Sequence, residues 1–354
     1  MPGASLSESS ENRPSPVLFG CAGTRVTLPE RATFRSANPF GFILFKRNCE
    51  SPEQIRALIL ELRQAVGRDD IQIAIDQEGG RVSRLESPHW PQYPAARAFG
   101  MMYERDPDWG IEAIRIYSRL VAHELVSLGI TINCAPVVDL FNSEGTPAIG
   151  DRAFSPSPAI VAALARAQVE TFLLGGILPV VKHMPGHGKL KTDPHQVLPI
   201  IDETLAELES QDFVPFELLK DVPMGMNSHA VFSALDPQNP ASLSPVVNND
   251  IIRGTLGFDG LLLSDDLTMK ALNGLPADLA RRALEAGNDI VLHCNGSGSE
   301  MEAIARVLEP MKDASWERWK YARDRVVAPD RSYNPAEDAE RLDVLLGGLA
   351  YDEK

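Results

Sequence analysis

Eight short apolar runs, separated by stretches of helical period, constrain this 354-residue chain more than any other feature. They are VLFGCAG from Val17, GFILF from Gly41, IQIAID from Ile71, TINCAPVVD from Thr131, LPVVKH from Leu178, GMNSH from Gly225, LLLSDD from Leu261 and DIVLHC from Asp289. Near-continuous apolar strands suit a parallel sheet whose outer face is covered, because a half-solvated strand would alternate polar and apolar residues. The segments between them include amphipathic helix candidates at 52–66, 111–128, 159–174 and 278–286. Eight strands of this kind close most simply into an α/β fold, a single-domain (β/α)8 TIM-like barrel. Residues 83–108 and 140–158 are rich in Gly, Pro and charge and read as long loops, while 300–327 reads as one long helix before a polar tail. The expected organisation is a flexible tail at 1–14, the barrel at 15–330 and a C-terminal extension at 331–354.

Composition excludes several function classes. Thirty-four basic against forty-nine acidic side chains give a net charge of −15, which repels phosphate backbones and anionic lipid heads. Neither nucleic acid nor a membrane is an expected partner. The polar, acidic N-terminus has no basic-then-apolar leader pattern, and no apolar run is long enough to span a bilayer, so a cytoplasmic location is expected. Cys21, Cys49, Cys134 and Cys294 form no C-x-x-C pair, and they read as reduced thiols, three of them within apolar runs.

In such a barrel, chemistry gathers at the carboxyl ends of the strands. Those ends carry Asp76 with Glu78, Asp139, Lys182 with His183, Asn227 with His229, and Asp265 with Asp266, and the loop after the fourth run adds Asp151 and Arg152. A single Asp at a strand end is often only a helix cap, but five polar ends and that loop together point to a site. The stretch KHMPGHGKLKTDPH, from Lys182 to His195, concentrates ionisable side chains around two glycines and two prolines. A metal reading would use His183, His187 and His195. Against it, Pro185 and Gly186 prevent His183 and His187 from sharing a helical face, and the glutamate of an H-E-x-x-H site is absent.

These motifs resemble those of family-3 glycoside hydrolases, most closely the single-domain bacterial β-N-acetylhexosaminidases of peptidoglycan recycling, the NagZ type. The resemblance is carried by GFILFKRN at Gly41, DQEGGRVSRL at Asp76, APVVDL at Ala135, IGDRAF at Ile149, KHMPGHG at Lys182, DPH at Asp193, NPASLSP at Asn239, GFDGLLLSDDLTM at Gly257 and AGNDIVLHCNG at Ala286. It implies that Asp265 is the nucleophile of a retaining mechanism, and that His195, partnered by Asp193, is the general acid/base. It further implies that Asp76, Arg84, Arg152, Lys182 and His183 hold the terminal sugar, with no cofactor and no metal. The implied substrate is a small muropeptide or disaccharide, N-acetylglucosaminyl-1,6-anhydro-N-acetylmuramic acid or a peptide-linked form, and a monomer is expected. The family pattern has a small hydroxyl residue between the loop Asp and His, where this chain has Pro194. Proline fixes φ and removes a donor, so a stiffer loop is expected.

The residue types fit that chemistry. A carboxylate can attack the anomeric carbon while a second group protonates the leaving oxygen, and a His does so near neutral pH, oriented by a neighbouring Asp. Strand alternation puts Asp265 on the face of Leu261 and Leu263, turning Asp266 away as a cap or an acceptor behind the site. Arg84 and Arg152 follow acidic neighbours, Asp76 and Asp151, and mutual pairing would allow their burial. Trp90 is expected under its loop, and His229 is left outside the expected site. Two competing readings are a relative acting on β-glucosides or β-xylosides, for which a second domain commonly supplies the acid/base, and a sugar-binding protein that has lost catalysis. The DPH loop argues against the first and the retained Asp265 against the second.

Overall fold

Each of the eight apolar runs becomes a stave of one parallel sheet. The computed structural model describes residues 12–143, 148–187, 198–270, 272–295 and 297–351. In chain order the elements are β1 (Ser15–Phe19), α1 (Leu28–Ala37), β2 (Pro39–Leu44), α2 (Pro52–Val66), β3 (Gln72–Ile75), α3 (Ala96–Arg105), α4 (Pro107–Leu128), β4 (Ile132–Asn133), α5 (Pro158–Leu174), β5 (Leu178–Pro179) and β6 (Val181–Met184). There follow β7 (Ile200–Ile201), α6 (Leu205–Ser210), α7 (Phe213–Leu218), β8 (Met224–Asn227), β9 (Val231–Phe232), β10 (Leu261–Asp266), α8 (Pro276–Ala286), β11 (Ile290–His293), α9 (Gly298–Val307), α10 (Asp313–Asp324) and α11 (Pro335–Tyr351).

The strand order is β5-β4-β3-β2-β1-β11-β10-β8-β6. Its two ends, β5 and β6, are halves of the single run LPVVKH, separated only by Val180. The ladder closes there: the Val180 amide donates to Asn133 O at 3.0 Å, and the Val138 amide to Lys182 O at 2.7 Å. The nine short strands therefore make the eight staves of a (β/α)8-type barrel in one domain. A separate parallel pair, β7 with β9, lies outside it.

Local chemistry sets the helices. α2 starts at Ser51, whose hydroxyl accepts from the Gln54 amide, has Pro52 at its first position, and stops at Gly67, which takes φ 86°. Its buried residues Ile55, Leu58, Ile59 and Leu62 follow the helical period against the barrel. Fully burying each contributes roughly 1.5–3 kcal/mol.

Three segments differ from the sequence expectation. The long helix at 300–327 is two, α9 and α10, because Pro310 lacks the amide a continuous helix needs, while the next amide, Met311 N, donates to Pro14 O at 3.0 Å. The 83–108 stretch holds α3. The polar tail forms α11, which docks on α4 through paired contacts of Arg119 with Asp338 (2.7 and 2.8 Å) and Arg341 with Glu112 (2.8 and 3.0 Å). Among the described residues, no helix is long and apolar enough to cross a membrane.

Candidate active site

The carboxyl mouth of the barrel encloses a cavity of about 430 Å³. Asp76, Arg84, Arg152, Lys182, His183 and Asp265, singled out from the sequence, all line it. Asp193, Pro194 and His195 lie outside the described residues.

Its charged wall grows from the end of β3. Strand alternation sends Asp76 and Glu78 to the same side, while Gln77 turns outward and receives the amides of Arg84 (2.9 Å) and Leu85 (3.1 Å). Gln77 thereby holds the loop that brings Arg84 back. The return needs glycine: Gly79 and Gly80 have φ of 95° and 55°, and a Cβ on Gly79 would lie 2.4 Å from Pro94 O. Arg84 Nη2 then reaches Asp76 Oδ2 at 3.0 Å. Lys182 Nζ sits between both acids, 2.9 Å from Asp76 Oδ1 and 2.6 Å from Glu78 Oε1. Arg152 closes on Glu78 with two bonds of 2.8 Å. The pairing expected between Arg152 and its neighbour Asp151 does not form; Asp151 takes Arg81 instead, at 3.0 Å.

Three cations and two anions thus alternate as Arg84, Asp76, Lys182, Glu78 and Arg152. Burial alone would favour neutral carboxyls, but Lys182 and Arg84 overcome it and hold Asp76 well below the usual range. Arg152 and Lys182 likewise bring Glu78 down to about 2. Burial works against the charge on Lys182 as well, and Asp76 and Glu78 more than restore it, raising its pKa. The wall therefore carries fixed charges in fixed positions, each sharing its hydrogen bonds with its neighbours.

The facing wall comes from β4, β6 and β10. Beyond β4, buried Asp139 accepts from the His183 amide at 3.3 Å and pairs with His183 Nδ1 at 2.7 Å. Burial opposes ionisation of Asp139, but His183 outweighs it and lowers its pKa, which assigns the shared proton to Nδ1. His187 packs beside His183 with ring centroids 4.8 Å apart. At the end of β10, Asp265 Oδ1 accepts from the Asp266 amide at 2.7 Å. Burial resists its ionisation, but the nearby His229 and His183, with that amide bond, lower its pKa. Asp265 is therefore a carboxylate at neutral pH.

Asp266, expected to turn away, lines the cavity too, but its carboxylate is taken up by its neighbours. It accepts from Thr268 N at 2.9 Å, Cys294 N at 3.0 Å and Asn295 Nδ2 at 3.2 Å, anchoring the strand end behind Asp265. His229, left outside the expected site, is fully buried and bridges Ser242 Oγ (2.6 Å) to the Asp266 carbonyl (3.0 Å). Trp90 is buried under its loop.

Sequence reasoning noted Glu78 and Asp139 as strand-end acids without giving them a place in the site, and it weighed His187 only as a metal ligand. The alternation of DQE, two acids on one face, was the available signal for Glu78. The three residues Asp139, His183 and His187 each offer a ligand atom within 4.8 Å of the others, a set compatible with a metal ion. The helical-spacing objection does not reach it, because His183 lies within β6 and His187 follows the Pro185 turn.

A parallel barrel with a charged pocket at its carboxyl mouth puts the site where enzymes of this fold carry their chemistry, and the comparisons give the class as glycoside hydrolase. The model of the glycosyl hydrolase family 3 N-terminal domain matches residues 30–328, and the chain belongs to that family. It is 39% identical over 299 residues to a β-hexosaminidase of Chromobacterium violaceum, covering 83% of this chain and 82% of the relative. Among solved structures it is similar to native NagZ from Neisseria gonorrhoeae, with TM-score 0.82, 31% identity and coverage of 96% and 98% of the two chains. The same gonococcal protein is known in complex with a zinc ion, at TM-score 0.81, 30% identity and the same coverage. The chain is thus an enzyme of the NagZ-like β-hexosaminidase type.

Proposed function

We propose that this β-N-acetylglucosaminidase removes the terminal sugar of N-acetylglucosaminyl-1,6-anhydro-N-acetylmuramic acid and its peptide-linked forms, by retaining double displacement. The carrying observation is the carboxylate of Asp265 facing a wall of pre-paired Arg84, Asp76, Lys182, Glu78 and Arg152 across one cavity. That wall, with His183, holds the sugar hydroxyls through charge-assisted hydrogen bonds and fixes the anomeric carbon against Asp265. Asp265 attacks that carbon as the bond to the leaving oxygen breaks, and His195, steadied by Asp193, protonates the oxygen. Water then attacks the glycosyl-enzyme, giving its proton to His195 and releasing Asp265.

Every step has a protein group assigned, so catalysis uses no cofactor. The enzyme works as a cytoplasmic monomer on a small substrate, with residues 15–330 as its barrel, 1–14 as a tail and 331–354 as an extension.

The test is hydrolysis of 4-nitrophenyl N-acetyl-β-glucosaminide, the matching β-glucoside and the anhydro disaccharide, with and without EDTA. Preference for the N-acetyl sugars, undiminished by chelation, is expected. Preference for the glucoside, inertness toward the disaccharide, or loss of activity in EDTA would each refute the corresponding part of the reading.

A further inference from the structure

The turn Phe45–Asn48, the FKRN that follows β2, has no task in the mechanism above, yet Phe45 lines the catalytic cavity. Two guanidiniums lie over its ring: the Cζ of Arg84 is 5.3 Å from the ring centroid and that of Arg47 is 4.8 Å from it. Both distances are within the range at which an aromatic face attracts a cation.

Arg84 is the least tied of the three cations in the charged wall. Arg152 makes three side-chain hydrogen bonds, two to Glu78 and one to Ala148 O at 2.9 Å, and Lys182 reaches two carboxylates. The side chain of Arg84 makes one among the described residues, from Nη2 to Asp76, and its Nε is buried without a partner. A single bond at the tip leaves the guanidinium free to turn about it, so its plane has to be set by packing. The Phe45 ring is in place to do this, because an aromatic face holds a planar cation without requiring a hydrogen bond.

Phe45 is itself held firmly. Its amide donates to Asn48 Oδ1 at 2.9 Å, and its carbonyl accepts from Asn48 N at 2.8 Å. Asn48 is fully buried, and its Nδ2 donates to Cys21 O at 3.1 Å and Gly23 O at 2.8 Å, in the loop after β1. Arg47 donates to Cys21 O at 3.0 Å, Cys294 O at 2.6 Å and Asn295 Oδ1 at 2.6 Å, which ties the second guanidinium to the segments that follow β1 and β11. The polar members of the turn lock it to its neighbours, and its one aromatic carries Arg84.

We infer that Phe45 is a positioning residue for the glycosidase reaction, its ring setting the guanidinium of Arg84 and, through it, the terminal sugar. The inference rests on the reading of Arg84 as a sugar contact.

The test is a double-mutant cycle on 4-nitrophenyl N-acetyl-β-glucosaminide, with wild type, Phe45→Leu, Arg84→Ala and the variant carrying both. Thermal unfolding confirms that each is folded. Phe45→Leu is expected to lower kcat/KM about fivefold or more in the wild-type background, and by no more than about twofold once Arg84 is replaced, because the ring then has nothing to position. Phe45→Tyr keeps the ring and should stay within about twofold of wild type. A loss under about twofold in Phe45→Leu, or the same loss in both backgrounds, would overturn the inference, as would a loss in Phe45→Tyr as large as in Phe45→Leu. If Phe45→Leu does not fold, Phe45→Met takes its place in the cycle with the same expectations. Arg84→Ala at wild-type kcat/KM would instead remove the sugar-contact reading of Arg84, and the inference with it; a loss in Arg84→Ala beside none in Phe45→Leu would sink the inference alone.

Discussion

On one wall of the pocket Asp76, Glu78, Arg84, Arg152 and Lys182 satisfy one another, whereas on the facing wall His187 makes no hydrogen bond and Asp265 is held through only one oxygen among the described residues. The first wall is complete before substrate arrives. Its charges cost nothing to reorganise during reaction, which is how fixed dipoles and ions are worth more than water. On the second wall Asp265 keeps one carboxylate oxygen without a hydrogen bond among the described residues, where a reacting sugar would use it. Positioning is thus assigned to groups locked by mutual pairing, and chemistry to the carboxylate left with something to bind.

Substitutions should separate the walls. Asp265→Asn removes the attacking carboxylate while preserving shape, and turnover on every substrate is expected to fall by about four orders of magnitude with the melting temperature little changed. Steady-state kinetics beside thermal unfolding checks both halves; activity surviving within tenfold would place the nucleophile elsewhere. His195→Ala is expected to lower kcat/KM on the anhydro disaccharide by about 10²–10⁴-fold, and far less on aryl glycosides whose leaving groups need no proton. Equal losses on the two substrates would remove His195 from the acid role.

On the charged wall the effect should appear in stability. Glu78→Gln leaves Lys182 and Arg152 buried without their shared charge, and a loss of about 3–5 kcal/mol in denaturant unfolding is expected. The pH dependence sharpens this. Glu78 is depressed from 4.5 to about 2 in the folded chain, so its contribution is fully present above 4.5 and disappears as pH falls toward 2. Unfolding measured from pH 7 downward should therefore show wild type and Glu78→Gln converging in that window; a constant gap down to pH 2 would mean the ion pair is not what Glu78 supplies.

Much of this was legible because a covered parallel strand must be apolar throughout. All eight runs became barrel staves, and the closing run LPVVKH showed itself as one segment although the structure splits it at Val180. Other elements carried weaker signals. α3 begins at Ala95 with no side-chain cap, so nothing in the 83–108 stretch announced it. The capping box of Thr27 and Glu30 did announce α1, and was available to be read. α11 docks through ion pairs to α4 as well as through buried Leu342 and Leu345, and a polar segment whose partners are remote in sequence reads as a tail.

The site divides similarly. Period-two alternation and the order of motifs brought six of the expected residues to one cavity, while the exchange of partners between Asp151 and Glu78 is a tertiary outcome that neighbouring positions in sequence misread. Asp139 and His187 carry no local signature, since their meaning comes from being within reach of each other across two strands.

The central claim, that Asp265 forms a glycosyl-enzyme across from a prebuilt clamp, is tested most directly by the stereochemistry of the first product. Proton NMR of 4-nitrophenyl N-acetyl-β-glucosaminide during early turnover should show β-N-acetylglucosamine appearing first, with the α anomer growing only by mutarotation. Initial release of the α anomer would mean direct attack by water, and would contradict the account.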